Sequence, residues 1–251
     1  MATIVYGIHP VHEMLKNSRW RIAEVHLDRK RARRRPLDEI AREAEARGIS
    51  IVLHDDQTLR KLAAGGVHQG VVAVLEGIPY ASMEDILMAW RNSGQKATIL
   101  VLDGVQDPHN LGAIVRTAHC AGCHGIILPR DRSASLTPAA IKASAGAAAH
   151  IPVARVTNLA SALNMLRQEG IWIVGTAAEA GTDLFDSDLD LDLALAMGGE
   201  GKGLRPLVGK RCDLTVRIPM IGINWSLNVS VAAGVILFEI LRQRRLAGVS
   251  S

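Results

Sequence analysis

From Ala97 onward the chain alternates short apolar runs with stretches of helical length, and this alternation limits the fold more than any other feature. Strands are expected at Thr98–Leu102, Gly125–Leu128, Ile151–Arg155, Ile171–Gly175, Leu193–Met197 and Leu214–Ile218. Helices are expected at about Asn110–Ala121, Pro138–Ala145, Asn158–Glu169, Leu204–Val208 and Leu227–Arg242. Ile99-Leu-Val-Leu102 and Ile171-Trp-Ile-Val174 are apolar at every position. Such a strand has no face for water, so it belongs in a mostly parallel sheet covered on both sides by helices. In open α/β sheets of this kind, ligands sit at the carboxyl ends of the strands. The loops that follow the strands are therefore where chemistry is sought.

Residues 1–76 read as a smaller α/β unit. Helices are expected at His9–Lys16, Pro36–Arg47 and Asp56–Leu62, and strands at Ile22–Leu27, Ile51–Leu53 and Val71–Leu75. The second helix has proline at its first turn and Gly48 just past its end. Residues 77–96 read as a linker. Ile78-Pro79 opens it, Met83–Trp90 is a short helix, and the turn formers Asn92-Ser-Gly-Gln-Lys96 close it.

Charge narrows the choice of partner. Lys plus Arg number 29 against 25 for Asp plus Glu, an excess that permits a nucleic-acid partner without requiring one. Six of the eight residues in Asp28–Arg35 are basic: Arg29, Lys30, Arg31, Arg33, Arg34 and Arg35. Such a run is either a solvated loop or a grip on phosphates. Aromatic residues make up only 3%, which argues against an aromatic base-stacking platform. The first 20 residues lack an apolar signal core. The longest apolar run, Val229–Phe238, is closed by Glu239, far short of the ~20 residues that span a bilayer. No membrane association is expected, and a cytoplasmic location follows. Three cysteines suggest reduced thiols. Cys120-Ala-Gly-Cys123-His124 spells the c-type haem attachment pattern, but attachment of that kind requires export. Cys212 is too far away to complete a zinc site, so no metal is expected. Asp183–Asp192 carries five aspartates, yet Leu191 and Met197 stand where a calcium loop needs glycine and glutamate. It reads as a solvated loop.

Three stretches carry chemistry. In Leu102–Ala118 a strand ends, a turn of Asp, Gly and Pro follows, and a helix starts near Asn110. Arg116 shares a helical stripe with Gly112, leaving room above the glycine for an anion such as an RNA phosphate. A plain N-cap asparagine and a surface arginine would give the same pattern. In Met197-Gly-Gly-Glu-Gly-Lys-Gly-Leu204, glycines allow backbone to approach a ligand closely. It is not a Walker A loop, because neither Gly201-Lys202 nor Gly209-Lys210 is followed by Ser or Thr. Glu200 within it points away from phosphate and toward a ligand with positive charge or many donors. In Ile218–Arg245, Pro219 ends a strand, Gly222 allows a turn, and Ser226-Leu-Asn228 begins a helix. That helix is apolar on nearly every face, with Ala232-Ala-Gly234 allowing close approach, as a subunit interface requires.

Taken in order, N-L-G-A-x-x-R-T-A at 110–118, G-x-E-G-x-G at 198–203 and I-P-M-x-G…S-L-N-V-S-V-A at 218–232 resemble the SpoU (TrmH-type) class of SPOUT RNA 2′-O-methyltransferases. Tyr6-Gly-Ile-His9, Val67-His-Gln-Gly70 and Lys142-Ala-Ser-Ala-Gly-Ala147 extend the resemblance over nearly the whole chain. It implies an RNA substrate-binding domain at 1–76, related to ribosomal-protein folds, a linker at 77–96 and a knotted methyltransferase domain at 97–251. It also implies S-adenosylmethionine as cofactor and a homodimer. Carried over residue by residue, Gly198, Gly201, Ile218, Met220 and Leu227 hold the cofactor, and Asn110, Arg116, Glu200, Ser226 and Asn228 serve catalysis. The implied partner is 23S rRNA or its precursor, modified on a guanosine ribose of the peptidyl-transferase P loop. Alternatives are a tRNA (guanosine-2′-O-)-methyltransferase, an antibiotic-resistance rRNA methylase and a non-catalytic RNA-binding module. Asn224-Trp225 departs from the family pattern, in which smaller residues are commoner.

Overall fold

The computed structural model describes residues 3–199, 201, 203–222 and 226–249. The chain forms two compact units, Met1–Pro79 with Leu136–His150, and Tyr80–Ser135 with Ile151–Ser251.

The first unit contains β1 (Thr3–Tyr6), α1 (Ile8–Leu15), β2 (Ile22–Asp28), α2 (Leu37–Ala46), β3 (Ser50–His54), α3 (Asp56–Leu62) and β4 (Val71–Leu75). From later in the chain comes α6 (Pro138–Ala143), which packs on β1. The sheet order is β1-β4-β2-β3. Only the β2–β3 pair is parallel. Sequence periodicity does not announce β1, because four residues are too few to establish a period. Its pairing with β4 places Val5 opposite Ala73, and both are fully buried. Leu136–His150 is tied down locally. Asn17 donates to the Ala149 carbonyl, and Glu13 Oε2 meets His150 Nε2 at 2.7 Å. The alternation that places this segment among later βα units does not reveal that it packs with the first sheet. The basic run follows β2 as a tight turn in which Asp28 Oδ1 accepts from Lys30 N at 2.8 Å. All six of its cations are exposed.

The second unit contains α4 (Met83–Arg91), β5 (Thr98–Asp103), α5 (Pro108–Cys120), β6 (Gly125–Pro129), β7 (Val153–Val156), α7 (Leu159–Gln168), β8 (Trp172–Thr176), β9 (Thr182–Asp183), β10 (Leu193–Gly198), α8 (Pro206–Gly209), β11 (Leu214–Arg217) and α9 (Val229–Val249). Its seven strands lie in the order β7-β6-β5-β10-β8-β11-β9 and are parallel throughout. The continuously apolar strands form its centre: Thr98–Asp103 is buried at every position. Ile86 and Leu87 of α4 enter the same core. Because the strands are parallel, β5, β10, β8 and β11 all end on one edge. One expectation is corrected here. The stretch Asp183–Asp192 is not a solvated loop: Thr182–Asp183 pairs with β11, and Leu184 and Leu189 are fully buried. Leu184 and Leu189 turn inward from among its aspartates, while Leu191 is half-buried. The β10 and β11 strands lie on either side of β8.

The last helix is pinned at its far end by one side chain. Arg244 donates to the carbonyls of Lys96 at 2.7 Å, Ala97 at 2.6 Å and Leu191 at 2.9 Å, and to Thr98 Oγ1 at 2.6 Å. Those acceptors open β5 and precede β10, so Arg244 fastens α9 to the amino end of the central strands. Gln243 adds a second tie, accepting from Leu189 N and donating to the Ser187 carbonyl. Arg244→Met keeps most of the apolar stem but strands these carbonyls. It is expected to lower stability by ~2–4 kcal/mol, since bonds from charged donors are the strong ones. A urea midpoint that shifts down at unchanged slope checks it.

Candidate active site

The glycine loop after β10 is shaped by contacts that leave no room for side chains. Its backbone doubles back so that Gly199 pairs with Gly203. A Cβ on Gly198 would lie 2.0 Å from the Gly203 carbonyl carbon, and one on Gly199 would lie 2.1 Å from the Gly104 oxygen. Gly201 and Gly203 take the left-handed φ values +79° and +62°. Asp103, the last residue of β5, holds both ends of the loop. Its carbonyl accepts from Gly199 N at 2.9 Å. Its carboxylate, with no exposed surface, accepts from Arg205 N at 2.8 Å and from Arg205 Nε at 2.6 Å. In the sequence Asp103 reads only as part of a turn. A carboxylate ending a central strand is a signal for such a clasp, but its partner 102 residues away is not visible in sequence.

Beside this loop lies a cavity of about 390 Å³, within the usual range for small-molecule sites. Gly198, Gly201, Ile218, Met220 and Leu227 all line it, and so does exposed Ser226. The lining also includes residues with no sequence assignment. Thr176, Ala177 and Ala178 come from the end of β8, and Val229, Ala232 and Ile236 from one face of α9. The β8 contribution follows from its place between β10 and β11, which only the sheet order discloses. Arg217 lines the cavity with its charge already committed to Asp183.

Two asparagines meet at the border of this cavity. Asn110 lies in the first turn of α5, which begins two residues earlier than its sequence suggests. Asp107 is the N-cap, its side chain accepting from His109 N, and Pro108 takes the first helical position. Asn110 Oδ1 accepts from Asn228 Nδ2 at 3.1 Å. Asn228 Oδ1 in turn accepts from Ser230 N at 2.8 Å and from Ser230 Oγ at 2.6 Å. The final helix therefore starts at Val229, not Leu227, and Asn228 caps it. Leu227 and Val229, on either side of Asn228, both line the cavity. Arg116 is exposed further along α5, above buried Gly112. It is not part of the cavity lining, and no hydrogen bond or ion pair engages it among the described residues. Glu200, Asn224 and Trp225 lie outside the described residues.

Residues 97–238 match the SpoU rRNA methylase family, and residues 4–81 match the substrate-binding domain of RNA 2′-O ribose methyltransferases. The chain belongs to the SpoU rRNA methylase family. By that membership it is an RNA 2′-O-methyltransferase. It is 48% identical to the 23S rRNA (guanosine-2′-O-)-methyltransferase RlmB of Yersinia pestis, over 98% of this chain and 99% of that one. Among solved structures it is similar to the SpoU methyltransferase AviRb of Streptomyces viridochromogenes in complex with AdoMet. There the TM-score is 0.83 at 26% identity, covering 98% of this chain and 91% of that one. An AdoMet-bound rRNA methyltransferase from Sinorhizobium meliloti gives a TM-score of 0.81 at 28% identity, covering 96% and 87%.

In this SpoU family member the C-x-x-C-H stretch is structural. Burial pushes the Cys123 thiol up to about 12, well away from thiolate chemistry. His124 is occupied at both ring nitrogens, Nδ1 accepting from Thr98 N at 3.0 Å and Nε2 lying 3.0 Å from Ser93 Oγ.

Proposed function

We propose that this SpoU methylase uses S-adenosylmethionine to methylate the 2′-oxygen of a guanosine ribose in the peptidyl-transferase P loop of 23S rRNA. One observation carries the reading: the Asn110–Asn228 pair joins the first and third motifs beside the cavity that the second motif walls. Identity of 48% over nearly the full chain to an enzyme named for 23S rRNA guanosine 2′-O-methylation supports the choice of substrate.

The cavity suits the cofactor. Its glycine wall offers backbone groups at close range, and Met197, Leu227 and Ile236 offer apolar surface. The one described cation in the lining, Arg217, is neutralised by Asp183, so a positively charged ligand meets little repulsion. Gly198, Gly201, Ile218, Met220 and Leu227 would hold it. S-adenosylmethionine supplies, when bound, a methyl group activated by a sulfonium centre.

The chain's own task is to align the ribose 2′-oxygen and ease the loss of its proton. Alignment of this kind contributes up to ~7–11 kcal/mol. Arg116, free of any described partner, is assigned to gripping an RNA phosphate next to the reacting ribose and stabilising charge as it develops on the 2′-oxygen. A guanidinium does not give up its proton in a protein, so Arg116 is not assigned as general base. The Asn110–Asn228 pair positions the substrate, and Ser226 adds a polar group within the cavity. Glu200 is assigned on sequence grounds to orienting Arg116 or the ribose.

The exposed run Arg29–Arg35 docks RNA. A homodimer is supported by α9, where Val231 and Phe238 lie two turns apart and are 51% and 48% exposed. A trefoil knot at the C-terminal end is supported by the strand order, in which β11 lies outside β8 while α9 returns to pack on α5. A cytoplasmic location agrees with the substrate. Among the described residues, no helix is long and apolar enough to cross a membrane.

The test is methyl transfer from labelled cofactor to unmodified 23S rRNA and to tRNA, with the product mapped by mass. One 2′-O-methylguanosine in the P loop is the expected result. Methylation of tRNA alone would overturn the substrate, and methylation of neither would overturn the enzyme reading. Asp103→Asn should weaken cofactor affinity by ~10-fold, since it removes the charge that clasps Arg205 while keeping shape. Calorimetric titration checks it.

A further inference from the structure

The final helix opens with a backbone group whose role cannot change. Ser230 N carries a hydrogen, so it can only donate. It lies 2.8 Å from one arm of the Asn228 side chain, and that arm must be the oxygen. Ser230 Oγ, at 2.6 Å, donates to the same Oδ1. With its oxygen engaged twice, Asn228 turns its nitrogen toward α5. There Nδ2 lies 3.1 Å from the Asn110 side chain, and the atom it meets must accept, so it is Asn110 Oδ1. The nitrogen of Asn110 is then turned away from Asn228. An isolated amide presents either end equally, but here one backbone N–H orders two amides on two helices.

Helix packing holds both amides in place. Val229, between Asn228 and Ser230, is buried, which fixes the start of α9. Asn110 and Thr117 lie about two turns apart on one face of α5. That face meets α9 closely, since a Cβ on Gly234 would lie 3.7 Å from Thr117 Cγ2. The helices set where the amides stand, and Ser230 sets which way they point.

We propose that Ser230 is a positioning residue for methyl transfer: through Asn228 it makes Asn110 present an amide nitrogen, a donor, to the ribose 2′-oxygen. This inference rests on the RNA-methylating reading given above and adds to it a residue and a polarity. A donor at this point holds the 2′-oxygen before reaction and stabilises the charge that grows on it as its proton leaves. It cannot take that proton, so Asn110 is not the base. An amide nitrogen carries two hydrogens, so a further contact of Asn110 within the protein still leaves one for the ribose.

The test uses the full-length protein and methyl transfer to unmodified 23S rRNA. Ser230→Ala is expected to lower kcat by ~10-fold, as a small misplacement at the reacting centre does, with the Michaelis constant for RNA and the cofactor affinity as in the parent. Ser230→Thr keeps the hydroxyl and should keep kcat. A residue that merely capped the helix would lower the Tm in Ser230→Ala and leave the kcat of the folded enzyme alone, and that result would overturn the proposal. Asn110→Asp reads the polarity. It still accepts from Asn228 but offers the ribose an oxygen, so kcat should fall by ~100–1000-fold, the range for losing one preorganised donor. Turnover kept or raised in Asn110→Asp would mean that an acceptor belongs there, which also overturns the proposal. Neutron diffraction from deuterium-exchanged crystals reads the same polarity without turnover. Deuterium is expected on the Asn228 atom that faces Asn110, and deuterium on the atom that faces Ser230 would refute the amide order. A parent protein that transfers no methyl group would sink the enzymatic reading, while the deuterium positions would still decide the order of the amides.

Discussion

Arg116→Lys is expected to lower kcat by ~100–1000-fold while cofactor affinity stays within about twofold. The range is that for removing one preorganised donor aimed at charge that develops in a transition state. Lysine keeps the positive charge but not the planar fork, so it replaces two parallel bonds to a phosphate with a single point contact. Arg116 is suited to this because it projects from α5 without a described partner and beyond the cofactor cavity lining. Its loss leaves the cavity walls intact. The substitution also separates two mechanisms. Lysine gives up a proton far more readily than arginine. Were Arg116 the general base, Arg116→Lys would keep or raise turnover, with the pH–rate profile moved to lower pH. Were it a phosphate clamp, turnover would fall at every pH and the Michaelis constant for RNA would rise with it. Near-normal turnover in Arg116→Lys therefore removes the clamp.

How much of this site was visible in the sequence depends on whether the deciding contact is local. The glycine loop, the Asn110 turn and the Ser226-Leu-Asn228 stretch are local signals, and the fold brings the three regions together. Asn110 and Asn228 are bonded to each other, and all five residues expected to hold the cofactor line one cavity. The misses depend on pairings across the sheet. Thr176-Ala-Ala178 has no distinguishing composition, and it reaches the cavity because β8 is inserted between β10 and β11. Asp103 reads as a turn residue until Arg205 is found against it. The aspartates after Thr182 look solvated because charge dominates the pattern, while Leu184 and Leu189 among them are taken up by the core. The membership of Leu136–His150 in the first unit has the same origin. Its helix is legible, with Pro138 at the start and the Thr137 side chain capping Ala140 N. The strand it packs on, β1, is too short to be read.

The glycine wall offers the second large effect. Gly198→Ala is expected to weaken S-adenosylmethionine binding by ~100-fold or more. The cause is steric and involves backbone on both sides: the new methyl would lie 2.0 Å from the Gly203 carbonyl carbon, 2.3 Å from its oxygen and 2.4 Å from Leu204 N. No rotamer change relieves such contacts, because none of those atoms belongs to a side chain. The Gly199–Gly203 pairing has to open, and the loop that forms one wall of the cavity has to move away from β10. Overpacking of this sort costs ~1–3 kcal/mol in a site that yields. The loop is held at both ends by buried Asp103, so it does not yield freely. Gly201→Ala provides the contrast. Nothing lies within 4 Å of a Cβ there, so its only penalty is the left-handed φ of +79°, and a loss of ~10-fold at most is expected. Calorimetric titration of the cofactor into both variants, with circular dichroism to confirm folding, ranks the two effects. Equal losses would mean that backbone conformation, not close approach, requires glycine in this loop, and a Gly198→Ala variant that binds normally would remove the glycine wall from the cofactor site.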